Sequence, residues 1–365
     1  MTSRERMHAT INFEPVDRPF RWEAPGIWAS TITRWKNEGL PDSADGRHPD
    51  YFGFDKLVWL PLARWTVNPY CPAFDLELLA DEETTVVERD FDGIVKRNKK
   101  VGRETSMPQF LKFPVETIDD YKNDVAWRLN PDSAERFPDN WDELCAQYAE
   151  RDYVVGLHVV GPFGFARNLF GEENLMYAVY DDPDLINLIM SDWCDFYCRL
   201  IKRVCADVTP DIIMVWEDMC YNSGPLISPE QFREFMLDGL KQILDTAKSL
   251  GIAGLFVDND GDCHKMIPLY LEAGANGFYP FECKAGMDIV KIREQYGRAF
   301  VIIGGINKHT LSDECSIEEM IEDIEKKVPP LVKSGGYIPM LDHSAPPNIS
   351  LSHFMNFLEY VRKIT

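Results

Sequence analysis

Between Gly254 and Glu282 the chain twice repeats one pattern, a short apolar run closed by an acid. Gly254-Leu-Phe-Val-Asp258 runs into Asp258, Asp260 and Asp262. A helix-like segment from Lys265 to Ala273 and a Gly-Ala-Asn-Gly break follow, and Gly277-Phe-Tyr-Pro-Phe281 then ends in Glu282. Strand, acid, helix, strand, acid is the grammar of a parallel α/β protein, because parallel neighbours need a crossover that is usually a helix. In such folds the loops leaving the strand C-termini stand on a rigid base and carry the chemistry.

Eight apolar runs fit this unit, near residues 18, 56, 153, 211, 254, 277, 300 and 337. Arg18-Pro-Phe-Arg-Trp-Glu23 is the first and 54–61 the second. The run at 153–160 meets Gly161-Pro-Phe-Gly164, that at 211–216 meets Glu217-Asp218, that at 300–303 meets Gly304-Gly-Ile-Asn-Lys308, and the last meets Asp342-His343. Helices are expected at 27–38, 139–150, 165–170, 174–180, 184–204, 229–250, 317–334 and 351–364, with Ser228 as an N-cap. Residues 73–104 break the rhythm with short, partly alternating β-rich runs and an Asp92-Gly93 turn, which predicts an antiparallel insertion. The pattern predicts an α/β fold, a (β/α)8 TIM barrel forming one domain over residues 1–365. A doubly wound sheet is the rival, but no Gly-x-Gly-x-x-Gly turn follows the first run.

A hydrophobic content of 45% supports a core of that size, and a formal charge of −22 repels phosphate backbones, which argues against nucleic-acid binding. Nine cysteines without a Cys-x-x-Cys pair read as reduced thiols in a cytoplasmic protein. The start of the chain lacks the apolar core of a signal peptide, and no apolar run approaches the ~18 residues that span a bilayer.

The barrel would gather the polar residues at the strand ends around one mouth: Glu23, Arg64, His158, Glu217, Asp218, Asp258, Asp260, Glu282, Cys283, Asn307, Lys308, Asp342 and His343. So many acids repel one another unless a metal, a cation or shared protons balance them. Asp258, Asp260 and His343 are the candidate ligands of a divalent metal such as zinc, without the His-x-x-x-His or Cys-x-x-Cys spacing that marks many such sites. Asp258-Asn-Asp-Gly-Asp262 opens like an EF-hand loop, but Leu269 stands where a closing Glu belongs. His343 ends the last strand before Pro346-Pro347 and is the first catalytic candidate, with Glu217, Asp258 and Glu282 beside it. Trp22, Glu23, His158, Asp218, Tyr221, Asn307, Lys308 and Asp342 are the candidates for substrate binding. Trp22, Trp65, Phe163, Trp216, Tyr221 and Tyr279 offer an aromatic lining. For any one of these residues the ordinary alternative is a helix cap, an ion pair or core packing.

Val160-Gly-Pro-Phe-Gly164, Glu217-Asp218 with Ile227-Ser-Pro-Glu-Gln-Phe-Arg-Glu-Phe235, Ala285-Gly-Met-Asp288, Gly304-Gly-Ile-Asn-Lys308 and Asp342-His343-x-x-Pro346-Pro347 resemble the uroporphyrinogen decarboxylase superfamily, from about residue 10 to the C-terminus. The resemblance implies a TIM barrel. It also implies either a haem-pathway decarboxylase or a methyltransferase that moves methyl groups to or from corrinoid proteins or coenzyme thiols. The decarboxylases grip a tetrapyrrole with eight carboxylates through Arg-Gln-Ala-Gly-Arg after the first strand, where this chain reads Trp22-Glu-Ala-Pro-Gly-Ile27. The place of their catalytic Asp reads Leu60-Pro-Leu62. Uroporphyrinogen decarboxylation is therefore not expected. The thiol-activating branch binds zinc through His-x-Cys and a later Cys, at places that correspond here to Asp258, Asp260 and His343. The resemblance then implies a branch that takes a methyl group from a small methylated substrate, such as a methoxylated or methylamine compound. The acceptor is expected to be a corrinoid carried by a partner protein, since the chain lacks the Asp-x-His-x-x-Gly cobalamin motif. The alternatives are a decarboxylase of a porphyrinogen or smaller acid and a non-catalytic corrinoid- or tetrapyrrole-binding barrel. A homodimer is expected by analogy with the superfamily.

Overall fold

The computed structural model describes residues 1–45, 48–62, 69–102 and 107–365. In chain order its strands are β1 (Leu57–Trp59), β2 (Glu77–Asp81), β3 (Thr85–Arg89), β4 (Val95–Lys99), β5 (Gln109–Lys112), β6 (Val154–Val160), β7 (Ile212–Trp216), β8 (Cys220–Tyr221), β9 (Gly224–Pro225), β10 (Gly254–Asp258), β11 (Gly277–Tyr279), β12 (Val301–Ile303) and β13 (Tyr337–Ile338). Among the described residues, seven strands pair in the order β1-β6-β7-β10-β11-β12-β13. Every pair is parallel, with Gly156 opposite Ile212, Ile212 opposite Gly254 and Phe256 opposite Gly277. Sequential order without a reversal point excludes the doubly wound alternative and is the winding of a TIM-barrel-like sheet.

The sheet divides the core in two. Met7, Phe20, Val154, Ile212, Met214, Phe256, Val301, Ile303, Ile338 and Met340 fill the inside, and a larger apolar layer lies between the strands and the surrounding helices. Side chains alternate along a strand, so Trp59, His158, Trp216, Asp258 and Tyr279 share the inward face with these residues. Space for them has to be made. A Cβ on Gly156 would lie 2.3 Å from the Trp59 ring. Gly156→Ala is therefore expected to destabilise the protein by ~1–3 kcal/mol through overpacking, read as a lower denaturation midpoint at an unchanged slope.

The segment expected as the first strand makes no ladder among the described residues. Residues 19–23 belong to no helix or strand and Ala24 begins a turn, yet Phe20, Trp22 and Ala24 pack against the inside. Isolated bonds tie the segment to its neighbours, from Asp55 N to Arg21 O (2.9 Å) and from Leu341 N to Glu23 Oε2 (3.3 Å). The buried Asp55 carboxylate anchors the segment at its lower end. It accepts from Arg6 at 2.5 Å, from Arg18 at 2.7 Å and from the Arg21 backbone at 2.8 Å. Pro19 has no N–H to give a ladder, and such side-chain anchoring is invisible to a hydrophobic pattern.

The insertion forms a four-stranded antiparallel sheet in the order β2-β3-β4-β5. It reaches Lys112, beyond the expected limit of 104, because β5 lies in what reads as loop. The expected helix at 229–250 is two, Pro229–Phe235 and Leu237–Ser249, broken at the buried Met236, which no Gly or Pro announces. The first opens with a capping box of Ser228 and Gln231. The helix Ile317–Ser334 runs through Pro329 and Pro330, and Leu351–Ile364 ends the chain as expected. Among the described residues no helix is long and apolar enough to cross a membrane.

Candidate active site

The inward side chains nearest the strand C-termini form an aromatic floor. The His158 and Trp59 rings lie 3.7 Å apart between centroids, Trp59 and Trp22 6.3 Å, and Trp22 and Tyr279 6.4 Å. Tyr279 hydrogen-bonds the Asp258 carboxyl, which stands opposite it in the β10–β11 register. Burial, then repulsion from Asp260 and Asp218, pushes Asp258 well above the usual carboxylate range in spite of that bond.

Above the floor the polar residues meet in pairs. His343 Nε2 lies 3.2 Å from Asp260 Oδ2. Burial pulls the imidazole down, but the bond to Asp260 and the charges of Asp260 and Glu282 together outweigh it and the net shift is upward. Arg167 donates to the Asp218 carboxylate at 3.0 Å and to its carbonyl at 2.7 Å, while its guanidinium lies 5.0 Å over the Trp216 ring. Asp218 is raised by burial, with Arg167 opposing. Lys308 Nζ lies 3.6 Å from Glu282 Oε1, and Glu282 Oε2 accepts from Gly261 N at 2.9 Å. Arg167, Lys308 and His343 are thus each held by an acid, whereas no described cation forms an ion pair with Asp258.

Several expected site residues do not reach this space. Glu217, Asp342 and Glu23 are 0%, 1% and 4% exposed. Glu217 lies under the start of the helix Pro162–Phe170, where it accepts from Gly164 N at 3.1 Å, and a Cβ on Gly161 would come within 2.4 Å of its carboxylate. Burial raises it to about 8, against the N–H groups of Gly164 and Phe163 that favour the anion. Asp342 uses both oxygens on backbone, accepting from Cys283 N and Lys308 N at 2.9 Å each, and so holds two strand-end loops together. Glu23 follows the inward Trp22 and therefore points outward, against Leu341; burial there raises its carboxyl well above the usual range. The Asn307 side chain caps the short turn that follows by accepting from His309 N. Tyr221 sits on the exposed rim and donates to Glu172 at 2.8 Å. Phe163 is core. Arg64 and Trp65 lie outside the described residues.

Among the described residues no group of three or more His, Cys, Asp and Glu side chains is arranged to hold a metal ion. Asp260 and His343 meet, whereas Asp258 turns to Tyr279, so as placed the three do not make a ligand set. Two contributors escaped the sequence reading. Trp59 was visible through strand parity once the register was known. Arg167 lies on a helix whose facing surface no local pattern reveals.

A family model described as uroporphyrinogen decarboxylase (URO-D) matches residues 117–364. A solved structure described as a methyltransferase from Methanosarcina mazei aligns over 100% of this chain and 99% of its own, with a TM-score of 0.63 at 14% identity, a likeness of fold. A putative vitamin-B12 independent methionine synthase from Listeria monocytogenes (12% identity, TM-score 0.36, 60% of this chain and 68% of that one) is a much weaker match. So is xylanase B from Clostridium stercorarium F9 (11% identity, TM-score 0.35, 60% and 75%). None of the curated proteins compared with the chain matches it.

Proposed function

The chain belongs to the uroporphyrinogen decarboxylase family, and within it we propose a methyltransferase that takes a methyl group from a small methylated substrate. The acceptor in this reading is a corrinoid co-substrate carried by a partner protein, which supplies the nucleophile for the methyl group. The observation that carries the proposal is the charge balance of the mouth. Asp218, Asp258, Asp260 and Glu282 surround an aromatic floor, while Arg167, Lys308 and His343 are each engaged by one of these acids. A tetrapyrrole with eight carboxylates would meet repulsion from these acids and find Arg167, Lys308 and His343 already engaged. A small neutral or cationic molecule meets neither problem. The likeness in fold to the Methanosarcina methyltransferase is compatible with the same reading.

Methyl transfer leaves the bonding pair on the substrate heteroatom. That atom must take a proton during the step or carry a positive charge before it. Asp258, which holds its proton well above the usual range, and the raised His343 stand over the floor to serve the first case. The aromatic floor orients the apolar part of the substrate and keeps water from the reacting carbon.

The test incubates the protein with free reduced cobalamin as acceptor probe and choline, trimethylamine or anisole as donors, and follows methylcobalamin by absorbance. Uroporphyrinogen is assayed for CO2 release in parallel. Methyl transfer above the protein-free rate, with no CO2, is the expected result. CO2 release without methyl transfer would replace the proposal with the lyase reading. Tight cobalamin binding without either reaction would replace it with a binding protein.

A further inference from the structure

The mouth contains one three-part arrangement complete and a second group with two of its three parts. On one side the Trp216 ring, the Asp218 carboxylate and the Arg167 guanidinium form an aromatic face, an acid and a cation, with the cation 5.0 Å over the ring and 3.0 Å from the carboxylate. One strand over, with Asp258 opposite Trp216 in the β7–β10 register, the Trp22 and Tyr279 rings and the Asp258 carboxyl provide the face and the acid, joined through the Tyr279 hydroxyl. Among the described residues no Lys, Arg or His forms an ion pair with Asp258, so this copy lacks its cation. Trp22, Trp59, His158 and Asp258 all retain partial exposure although they point into the barrel. A cation over an aromatic face favours the ionised form of the carboxyl beside it, and in a half-buried site it is then held by the ring quadrupole and by a field that water screens poorly.

We propose that the substrate carries its methyl group on a positively charged centre, a methylated ammonium or sulfonium, which binds between Asp258 and the Trp22 and Tyr279 rings. The bound cation takes the role that Arg167 plays in the neighbouring group. The proposal rests on the methyl-transfer reading for what happens to the bound ion, and it completes the chemistry of that step. When the carbon–nitrogen bond breaks, nitrogen keeps the electron pair and leaves as a neutral amine, and the methyl carbon bonds to the lone pair of the acceptor. No proton has to arrive, and the positive charge of the donor is consumed by the electron pair it retains. Asp258 and the rings hold the cation against the floor and fix its methyl carbon for the acceptor, so they act on the transfer step as well as on binding.

Calorimetric titration of the full chain with choline and with its uncharged isostere 3,3-dimethyl-1-butanol tests this without any turnover. Choline is expected to bind about tenfold tighter or better. In Asp258→Asn, which keeps the side-chain shape, the preference is expected to shrink to about threefold or less. In the unaltered protein it is expected to fall between about 50 and 500 mM salt, a second readout if the variant folds poorly. Equal affinity for the two probes, or binding of neither, overturns the proposal. A choline preference without methyl transfer from any donor leaves the cation site standing and removes the methyltransferase reading. Methyl transfer from anisole with no choline preference does the reverse.

Discussion

Replacing Asp258 by Asn is expected to lower kcat/KM for methyl transfer about 100-fold or more while the protein stays folded. The carboxyl is the acid of the floor that no described cation balances, and it is fixed by the Tyr279 hydroxyl at the end of β10. Asn has the same shape and still accepts a bond from Tyr279, but it can neither give up a proton nor carry a negative charge. Its thermal stability is expected to equal or exceed that of the original chain, because an acid that burial and its neighbours Asp260 and Asp218 discourage from ionising is replaced by a neutral group. Steady-state kinetics beside a thermal melt decides the matter. Activity within about threefold of the original would remove Asp258 from the chemistry and, with it, the reading of the floor as the reacting site.

Glu217→Gln is expected to change how stability depends on pH. The folded chain holds the Glu217 proton up to about 8, whereas the unfolded chain releases it near the ordinary value of 4.5. Between these values the folded state binds the extra proton, so stability falls as pH rises through the window. Below it both states are protonated and the penalty vanishes; above it both are ionised and the penalty is complete. Its size is on the order of a few kcal/mol, the shift converted at about 1.4 kcal/mol per unit. Gln keeps an acceptor for Gly164 N and never ionises. The variant should therefore gain on the original chain as pH rises from about 5 to 8, a difference read from denaturant midpoints at each pH. Parallel curves with no widening gap would mean that Glu217 is ionised in the folded protein from the start. A widening gap would explain why this acid, beside the strand end, serves the helix Pro162–Phe170 rather than a substrate.

Much of the architecture was legible because it follows from local chemistry. The apolar runs at 153–160, 211–216 and 254–258 became β6, β7 and β10, and the latter two end where acids begin. The family resemblance, carried by motifs such as Gly161-Pro162 and Asp342-His343, agrees with the family match. The strand expected at residues 18–23 forms no ladder among the described residues. Residues 18–23 carry the inward alternation of Phe20 and Trp22, but their anchoring by Asp55 depends on Arg6 and Arg18 arriving from elsewhere in the chain. The candidate site divided along a similar line. Asp258, Asp260 and His343 could be placed at strand ends by counting, yet counting could not tell that Asp342 spends both oxygens on the Cys283 and Lys308 N–H groups.

The sequence by itself determined the alternation of strands and helices, the sequential winding, and the set of acids delivered to one end of the sheet. These depend on the period of the apolar residues and on which residue follows each run. Only the tertiary structure decided which of those acids remain in the mouth and which are closed beneath it. Glu23 and Trp22 are adjacent, and strand parity sends one outward and the other to the floor. Asp218 receives its cation from Arg167, far away in sequence, while Asp258 receives none from the described residues. Burial and partnership are properties of packed neighbours across the fold, and the same carboxyl becomes a cap, a loop anchor or a reactive acid according to what the other strands bring beside it.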